Sequence, residues 1–559
     1  MNGITIQAGH FHTWTIVLLV ALLALPAPAA ELTVKKSGGD YSAIQDALDA
    51  AGAGDTVTVY AGTYNERLWV GHGGSAGGGW LTLTVHSNDA VYLNGGSVHS
   101  ASDPNMIEFE SGISFFRIEH LNICSNLADS ADGGAGILLD GHGHHIEILS
   151  NRIYEMRGED GIGIAMFGSH ATSPISNLLI AGNEIFDCEP AQSEALVLNA
   201  NVCDFRITGN DVHDVNNIGI DFIGGEDWLP LNAARDGICA DNRVVRARSS
   251  YGGGYAAGIY VDGGRDIVIE RNEVTECDMG IEIGAENPGW QTTNITVRAN
   301  LVHNNDKIGL VFGGYDAGRG RVDHCRFLNN TLYKNANASD WQAEIIVNWA
   351  ASNEVRNNLV VLSAAGDRYA VLDAANTGNI SNVFDHNLYY YAGTPEDALF
   401  EWQNTTCYGF TQYQAAASTA ESNSLFSDPA FAGSPTNLRV ALTSPAVDAG
   451  DDTALGPEHA TDADGRLRPL GEHVDIGAYE YAFLECLSTG TIEIVSGTLT
   501  TRWSSVRGAR YRVEQAERVT NAAWTTLTGP VTATTDRVTG TEPIGSRTQQ
   551  FYRCLRLLP

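Results

Sequence analysis

An asparagine followed two places later by an apolar residue recurs nine times at nearly constant spacing. The nine asparagines are Asn151, Asn183, Asn210, Asn242, Asn272, Asn300, Asn330, Asn358 and Asn387, and they are separated by 32, 27, 32, 30, 28, 30, 28 and 29 residues. A period near thirty that tolerates insertions is typical of a solenoid in which each repeat forms one coil. Asparagine tolerates unusual turn angles and can hydrogen-bond the backbone of the next coil, so the nine predict a ladder.

Four segments within these repeats have nearly one pattern and predict parallel strands. They are 219–225 (GIDFIGG), 258–264 (GIYVDGG), 280–286 (GIEIGAE) and 309–315 (GLVFGGY). Each has apolar residues at its second and fourth places, which is the period of a half-buried strand. We expect Ile220, Ile259, Ile281 and Leu310 to stack inside. Leucine-rich and helical repeats have similar periods, but their Leu frames and helical faces are absent.

The N-terminal sequence predicts a cap for this stack. Residues 42–51 have the spacing of a short amphipathic helix with Ser42 as its N-cap, and residues 55–60 predict a strand. A solenoid needs such a cover because an open end exposes both its core and a sheet edge.

With this cap, the Asn ladder and the G-I-x-V/I repeats, residues 31–390 resemble the right-handed parallel β-helix proteins of the pectin lyase-like superfamily. The resemblance implies an all-β chain, built as a solenoid with an N-terminal helical cap. That superfamily contains polysaccharide lyases, glycoside hydrolases, epimerases and non-enzymatic adhesins. The resemblance therefore implies a fold and leaves the activity open.

We predict four regions: a signal peptide over 1–30, the β-helix over 31–400, a closing segment over 401–482, and a small β-sandwich-like domain over 483–559. The closing segment contains SPAVDAG at 444–450 and DIGAYE at 475–480 and resembles the choice-of-anchor Q segments of secreted bacterial proteins. Its Asp462, Asp464 and Asp475 suit either Asx turns or Ca²⁺. No cofactor is required by the sequence, and Ca²⁺ is the one candidate.

The net charge indicates which partners the protein binds, and the N-terminal sequence indicates where the protein is located. A net charge of −34 argues against nucleic acid or an anionic membrane surface and favours a polysaccharide or oligosaccharide. The apolar run 15–25 is too short to span a bilayer and precedes small residues, so we expect export to the periplasm, the cell surface or the medium. The mature chain is predicted to be a monomer without a membrane span. Cys486 and Cys554 bracket the last domain and form the expected disulfide.

Carboxylates concentrate in the outward places of neighbouring coils. Aligning the four segments puts Asp221, Tyr260 and Glu282 in one outward row and Asp262 in the next. Paired strands lie about 4.8 Å apart, so Asp262 and Glu282 are expected roughly 7–9 Å apart. Inverting glycosidases separate two carboxyls by about 6.5–9.5 Å. We therefore predict Glu282 and Asp262 as an acid–base pair, assisted by Asp221.

Loops beside these coils carry the expected sugar-binding groups. Glu226 and Glu286 lie in the following turns and could exchange roles with either catalytic carboxyl. Aromatic rings stack on the C–H faces of sugars, and those near these coils are Trp228, Tyr251, Tyr255, Tyr260, Trp290, Tyr315, Trp341 and Trp349. Of these, Tyr260, Trp290, Tyr315 and Trp228 are the predicted substrate-binding aromatics.

Two other functions fit the same residues. In a polysaccharide lyase, Lys307 would abstract a proton beside a uronic acid carboxylate, while Asp262, Asp278 and Glu282 would hold Ca²⁺. Stacking also predicts an ion pair between Asp278 and Lys307. In a glycan-binding or adhesion protein, the carboxylates would serve no chemistry. We place the hydrolase first because acids outnumber candidate bases in these coils.

Overall fold

The computed structural model describes most of the chain after the predicted signal peptide. The described residues are 29–97, 104–127, 134–158, 160–338, 342–366, 368–417, 420–433, 437–456, 461–470, 473–481, 491–495, 498–504, 510–516, 525–532, 537–543 and 551–557. The predicted signal peptide therefore lies outside them, apart from its last two residues. Within these ranges, no helix combines the length and apolarity needed to cross a membrane.

Three long sheets run side by side, and each coil of the chain contributes a strand to each sheet in turn. Pairing is parallel throughout, except for the last strand of the second sheet, which is antiparallel to its neighbour. The predicted right-handed parallel β-helix is confirmed.

The first sheet comprises Glu31–Val34, Thr56–Val59, Leu81–Val85, Ile113–Glu119, Gly143–Leu149, Ile175–Ala181, Val202–Thr208, Arg235–Ala240, Arg265–Glu270, Gln291–Thr293, Thr296–Arg298, Arg321–Asp323, Arg326–Leu328, Ala350–Ala351, Glu354–Arg356 and Val383–Asp385. The second sheet comprises Leu68–Val70, Ile107–Phe109, Ile137–Asp140, Ile164–Gly168, Glu194–Ala200, Ile218–Ile223, Ala257–Asp262, Met279–Gly284, Ile308–Gly313, Ala343–Asn348, Tyr369–Asp373, Leu399–Trp402 and Thr405–Tyr408. The third sheet comprises Gly62–Tyr64, Val91–Asn94, Asn122–Leu127, Arg152–Arg157, Glu184–Phe186, Asp211–Val215, Arg243–Ala247, Glu273–Thr275, Leu301–His303, Thr331–Tyr333, Leu359–Val361, Leu388–Tyr390 and Leu425–Phe426.

The core is a set of apolar columns that run along the solenoid. Ile220 pairs with Ile259, Ile259 with Ile281, and Ile281 with Leu310, and all four side chains are buried. The predicted stack is confirmed. Because side chains alternate along each strand, the residues between them point away from this core. That alternation puts the candidate site on the outer face of the second sheet.

The nine asparagines form one continuous ladder, as predicted. Each backbone N–H from Asn151 to Asn358 donates to the Oδ1 of the next asparagine, at 2.9–3.1 Å. Each Nδ2 donates to a backbone carbonyl of the preceding coil, as from Asn210 to Ile180 at 3.0 Å. The ladder ends where the Asn387 N–H donates to the Ser424 hydroxyl at 2.8 Å. Every member is buried, so the ladder satisfies polar groups that water cannot reach.

Replacing Asn272 by alanine should destabilise the solenoid by about 3 kcal/mol or more. Its side chain donates to the Cys239 carbonyl and to Asn300, and it accepts from both the backbone N–H and the side-chain amide of Asn242. Alanine would leave these buried groups without partners. Urea unfolding of Asn272→Ala should show the loss, whereas Asn437→Ala, at an exposed position outside the ladder, should unfold nearly like wild type. Equal stability of the two variants would contradict a stabilising role for the ladder.

The N-terminal cap is confirmed as a helix, but its predicted N-cap is wrong. The helix spans Ile44–Ala50, its N-cap position is Ala43, and no side chain at that position caps it. Instead, the Glu66 carboxylate accepts from the N–H groups of Ile44 and Gln45 at 2.9–3.1 Å. A carboxylate at a helix N-terminus satisfies free N–H groups and complements the helix dipole. Ser42 was the local candidate, but a residue from the following coil supplies the cap.

The C-terminal end of the solenoid is closed by a second helix, Phe410–Ala417, which the sequence pattern did not indicate. Its Tyr413 is buried and stacks on Phe400 of the last coil, with ring centroids 4.4 Å apart. Short 3₁₀ helices lie at Pro395–Asp397 and Asp452–Leu455.

The rest of the closing segment packs on the third sheet instead of covering the end. Its Leu438, Val440, Ala446 and Ile476 form a small core with residues of that sheet.

The three aspartates proposed for Ca²⁺ in this segment bond to the chain itself. Asp462 Oδ1 accepts from the N–H groups of Asp464 and Arg466, the pattern of an Asx turn. Asp475 accepts from the Asp448 N–H. Asp464 pairs with Arg439.

The C-terminal region contains two small antiparallel sheets, in keeping with the predicted β domain. One comprises Thr491–Val495, Thr498–Ser504 and Arg537–Pro543, and the other comprises Thr525–Thr532, Arg510–Ala516 and Phe551–Leu557. Cys486 and the side chain of Cys554 lie outside the described part, so their disulfide stays a prediction.

Candidate functional site

The predicted outward row is present on the second sheet. Asp221 pairs with Tyr260, Tyr260 with Glu282, and Glu282 with Val311, while Asp262 lies opposite Gly284. Asp262 and Glu282 are therefore diagonal neighbours on adjacent strands, as the repeat alignment predicts.

A cavity of about 450 Å³ opens over this row. It is lined by Tyr255, Tyr260, Met279, Glu282, Ala285, Glu286, Ile308, Val311, Phe312, Gly313, Gly314, Tyr315 and Asn348. Four predicted site residues are thus brought together: Tyr260, Glu282, Glu286 and Tyr315. Such a concave site, apolar with a few converging polar groups, is typical of small-molecule binding.

Tyr260 and Glu286 lie on adjacent coils and are joined by a hydrogen bond. The Tyr260 hydroxyl donates to Glu286 Oε1 at 3.4 Å, and the Glu286 backbone N–H donates to Asp262 Oδ1 at 2.7 Å. Gly284 makes room for the hydroxyl, since a Cβ at that position would lie 2.8 Å from it. Asp262 is therefore not a cavity-lining group but holds the turn that carries Glu286.

Burial and nearby carboxylates raise the pKa of two carboxyls at this site, those of Glu282 and Asp262. Burial, followed by repulsion from Glu286 and Asp262, raises the pKa of Glu282 to about 8. Burial and repulsion from Glu286 likewise raise the pKa of Asp262 to about 8. Burial disfavours the charged form of a carboxyl, and a nearby like charge adds to that effect. Glu282 is consequently protonated at neutral pH while it faces the cavity.

Two further acids lie under the site, one of them missed by the sequence reasoning. Asp221 is only 1% exposed, and burial together with repulsion from Glu194 and Asp262 raises its pKa well above the usual range. Burial also raises the pKa of Glu194 to about 7, even though Ser193 donates to it at 2.9 Å. Glu194 lies on the coil that precedes the Asp221 coil, where it pairs with Ile218. The strand of Glu194 has no leading glycine, so the alignment of the four glycine-led segments did not include it.

Two predicted sugar-binding aromatics lie outside the cavity lining. Trp290 donates from Nε1 to the Gly263 carbonyl at 2.7 Å, and a Cβ on Gly225 would lie 2.5 Å from its ring. This ring packs on backbone. Trp228 is 48% exposed on the inserted loop. Glu226 accepts from Asn287 at 3.4 Å and also lies outside the lining.

The predicted ion pair between Asp278 and Lys307 is wrong. The Asp278 carboxylate accepts from the N–H groups of Ser249 and Ala256 at 2.7 and 3.1 Å. The Lys307 ammonium donates to the Gly253 carbonyl at 2.8 Å and lies 3.6 Å from the centroid of the Tyr255 ring. Both side chains therefore bond to the loop 249–256 and not to each other.

The Ca²⁺ set of the lyase alternative is not assembled either. Across the ranges that the structure describes, no three His, Cys, Asp or Glu side chains are grouped so as to hold a metal ion. Asp278 bonds to loop backbone, away from Asp262 and Glu282.

Known proteins match both the repeats and the whole architecture. The family model described as "Right handed beta helix region" matches residues 200–360 and 242–425. The uncharacterised protein YwoF of Bacillus subtilis strain 168 is 31% identical over 404 residues, which span 70% of this chain and 84% of YwoF. This chain is a right-handed β-helix protein of the same family as YwoF.

Solved structures share the fold of this β-helix protein at low sequence identity. XylC, solved with xylose, is 12% identical and aligns over 81% of this chain and 98% of its own, with a TM-score of 0.50. The family 28 exopolygalacturonase of Yersinia enterocolitica is 12% identical over 68% of this chain and 78% of its own, with a TM-score of 0.42.

Proposed function

We propose that this β-helix protein is a glycoside hydrolase that acts on a polysaccharide or oligosaccharide in the cavity over the second sheet. The observation that carries the proposal is the pairing of two carboxyls in one cavity between tyrosine rings. Glu282 holds its proton at neutral pH, and Glu286 faces the same space. Glycosidic hydrolysis uses a carboxylic acid that holds its proton and a second carboxyl in the same site.

In the proposed reaction Glu282 is the acid and Glu286 the base. The Glu282 proton passes to the glycosidic oxygen as the bond between that oxygen and the anomeric carbon breaks. A water molecule adds to the same carbon and gives its proton to the Glu286 carboxylate. One water is consumed, and the two carboxyls exchange protonation states. Each such step contributes about 10²–10⁴-fold to the rate.

Asp262 has a different role here from the one that the sequence predicts. Asp262 was the predicted partner of Glu282 in the acid–base pair, but its Oδ1 accepts from the Glu286 backbone and its side chain is outside the cavity lining. We assign it a positioning role, because it accepts from the Glu286 backbone N–H and so holds the turn that carries Glu286. Asp221 lies beside Tyr260 in the outward row and keeps the assisting role predicted for it. The rings of Tyr255, Tyr260 and Tyr315 bind the sugar.

A digest of a polysaccharide panel tests the reaction class. Hydrolysis should produce new reducing ends without the ultraviolet absorbance of unsaturated sugars. The proposed pair needs no metal, so EDTA should leave the rate unchanged. A lyase would give unsaturated products and could lose activity with EDTA. Binding of a glycan without turnover would instead favour the adhesion function.

The turnover of a single substrate by a Lys307→Met variant distinguishes a lyase from a hydrolase. Methionine keeps the length of the stem but removes the only base that the lyase alternative names. The hydrolase predicts a loss in kcat of less than about tenfold. Lys334→Met is the matched control, since Lys334 also lies over a tyrosine ring, Tyr333, but in the third sheet. Abolished turnover in Lys307→Met alone would reject the hydrolase.

A further inference from the structure

We propose that the sugar unit bound in this cavity is uncharged, so that the protein acts on a neutral glycan and excludes polymers of uronic acids. The inference rests on the function proposed above, and it names the substrate class of the same site. It comes from the charges around the cavity and from where the nearby cations are directed.

Among the described residues, the cavity wall carries acidic side chains and no basic ones. The thirteen described residues that line it include Glu282 and Glu286 but no lysine, arginine or histidine. Three further buried acids, Asp262, Asp221 and Glu194, lie on neighbouring strands of the same sheet. A uronate carboxylate entering the cavity would lose its water and face the carboxyl of Glu286, and it would find no cationic side chain in the described lining. Proteins that hold carboxylates do so with Arg or Lys side chains or with free N–H groups.

Two cations near the cavity are already bonded to the protein. The Arg319 guanidinium donates to the Glu286 carbonyl at 3.3 Å and lies 4.8 Å from the centroid of the Tyr315 ring. The Lys307 ammonium is bound by the Gly253 carbonyl and the Tyr255 ring. Each cation is placed against a ring that lines the cavity, while neither is itself a lining residue.

Two arginines of the same coils, Arg235 and Arg321, are also directed elsewhere. Arg235 donates to Asn201 Oδ1 and the Ala233 carbonyl at 3.0 and 3.1 Å. Arg321 lies 5.4 Å from the centroid of the Trp349 ring. Neither arginine is a lining residue of the cavity.

The remaining wall suits the C–H faces of a neutral sugar. Met279, Ile308, Val311 and Phe312 form an apolar side, and the tyrosine rings add aromatic surface. Few polar groups are left to orient hydroxyls: the two glutamates, Asn348 and the tyrosine hydroxyls. Neutral sugars combine apolar faces with hydroxyls that carboxylates accept from.

Matched oligosaccharide pairs that differ only at C6 test the inference. The probes are β-1,4-mannuronan and β-1,4-mannan oligomers, and oligogalacturonate and its carboxyl-reduced form. Binding is measured by calorimetry on the Glu282→Gln variant, at low and at high salt, because this variant should turn the probes over at least about 100-fold more slowly. We expect at least one neutral member to bind, and its uronate partner to bind at least about tenfold more weakly at low salt. High salt should reduce this difference in affinity, since it screens the repulsion between the uronate and the acidic lining.

A charge variant makes the test specific for the cavity. Adding Glu286→Gln removes one acidic lining group and should reduce the difference in affinity between the neutral probe and its uronate partner at low salt. Asp227→Asn, at an exposed position outside the lining, should leave that difference unchanged. A uronate that binds as tightly as its neutral partner overturns the inference. Failure of every probe to bind overturns it as well. A neutral probe that binds but is not cleaved by wild type keeps the inference and rejects the hydrolase.

Discussion

Replacing Glu282 by glutamine should lower kcat by about 100-fold or more on a confirmed substrate, with KM nearly unchanged. Glutamine has the shape of the protonated carboxyl and keeps the cavity intact, but it has no proton to give to the leaving oxygen. Because the pKa of Glu282 is raised to about 8, the wild-type rate should also fall as pH rises above 8. Initial rates across pH 5–10 check both expectations.

Glu401→Gln is the matched control for this variant. Glu401 occupies the same outward row of the same sheet, four coils further on, through Val311, Ile346 and Leu372. Burial also raises its pKa, yet it lies outside the cavity. It should keep wild-type kcat. Wild-type turnover in Glu282→Gln, with the fold intact, would remove Glu282 from the reaction and with it the hydrolase mechanism.

Stability should fall by a few kcal/mol between pH 4 and pH 8 because of the buried carboxyls at the site. In the unfolded chain Asp262 loses its proton near pH 4, but in the folded protein it keeps the proton until about pH 8. The unfolded state therefore binds fewer protons across that window, and rising pH favours it. Each unit of pKa shift corresponds to about 1.4 kcal/mol. Urea unfolding at a series of pH values measures the loss.

Asp262→Asn should remove part of that loss. An amide replaces a neutral acid at pH 4, so the variant should match wild type there, and it should be more stable than wild type at pH 8. Asparagine Oδ1 can still accept from the Glu286 N–H. Asp227→Asn, on the exposed loop, should follow the wild-type curve. Two results would contradict a raised pKa for these acids. One is a wild-type free energy of unfolding that does not change with pH, and the other is an Asp262→Asn variant that is less stable than wild type at pH 8.

The architecture could be predicted because its signals are periodic. An asparagine every thirty residues, together with the alternation around Ile220, Ile259 and Ile281, determines which residues stack and in which register. A shift of one residue would put the whole apolar column in water, so the pattern admits one register. The same alternation is sufficient to place the outward residues between these isoleucines in a single row.

Local signals were weaker where a residue from another coil competed with a neighbour in sequence. Ser42 has the composition of an N-cap, yet Glu66 caps the helix from the next coil. Glu194 joins the acidic site although its own repeat lacks the guiding glycine. Such contacts depend on how coils stack in space, and a pattern within one repeat does not encode them.

The sequence by itself determined the solenoid, its Asn ladder, its core columns and the outward acidic row, because each depends on a repeat that hydrogen bonding and burial propagate from coil to coil. Only the tertiary structure decided which of those outward groups share a cavity. The inserted loops fold back on the sheet, so Asp262 becomes a buried anchor for Glu286, Trp290 becomes packing, and Lys307 is drawn to Gly253 and Tyr255. Loops follow no period, and their positions depend on long-range contacts that strand alternation cannot specify.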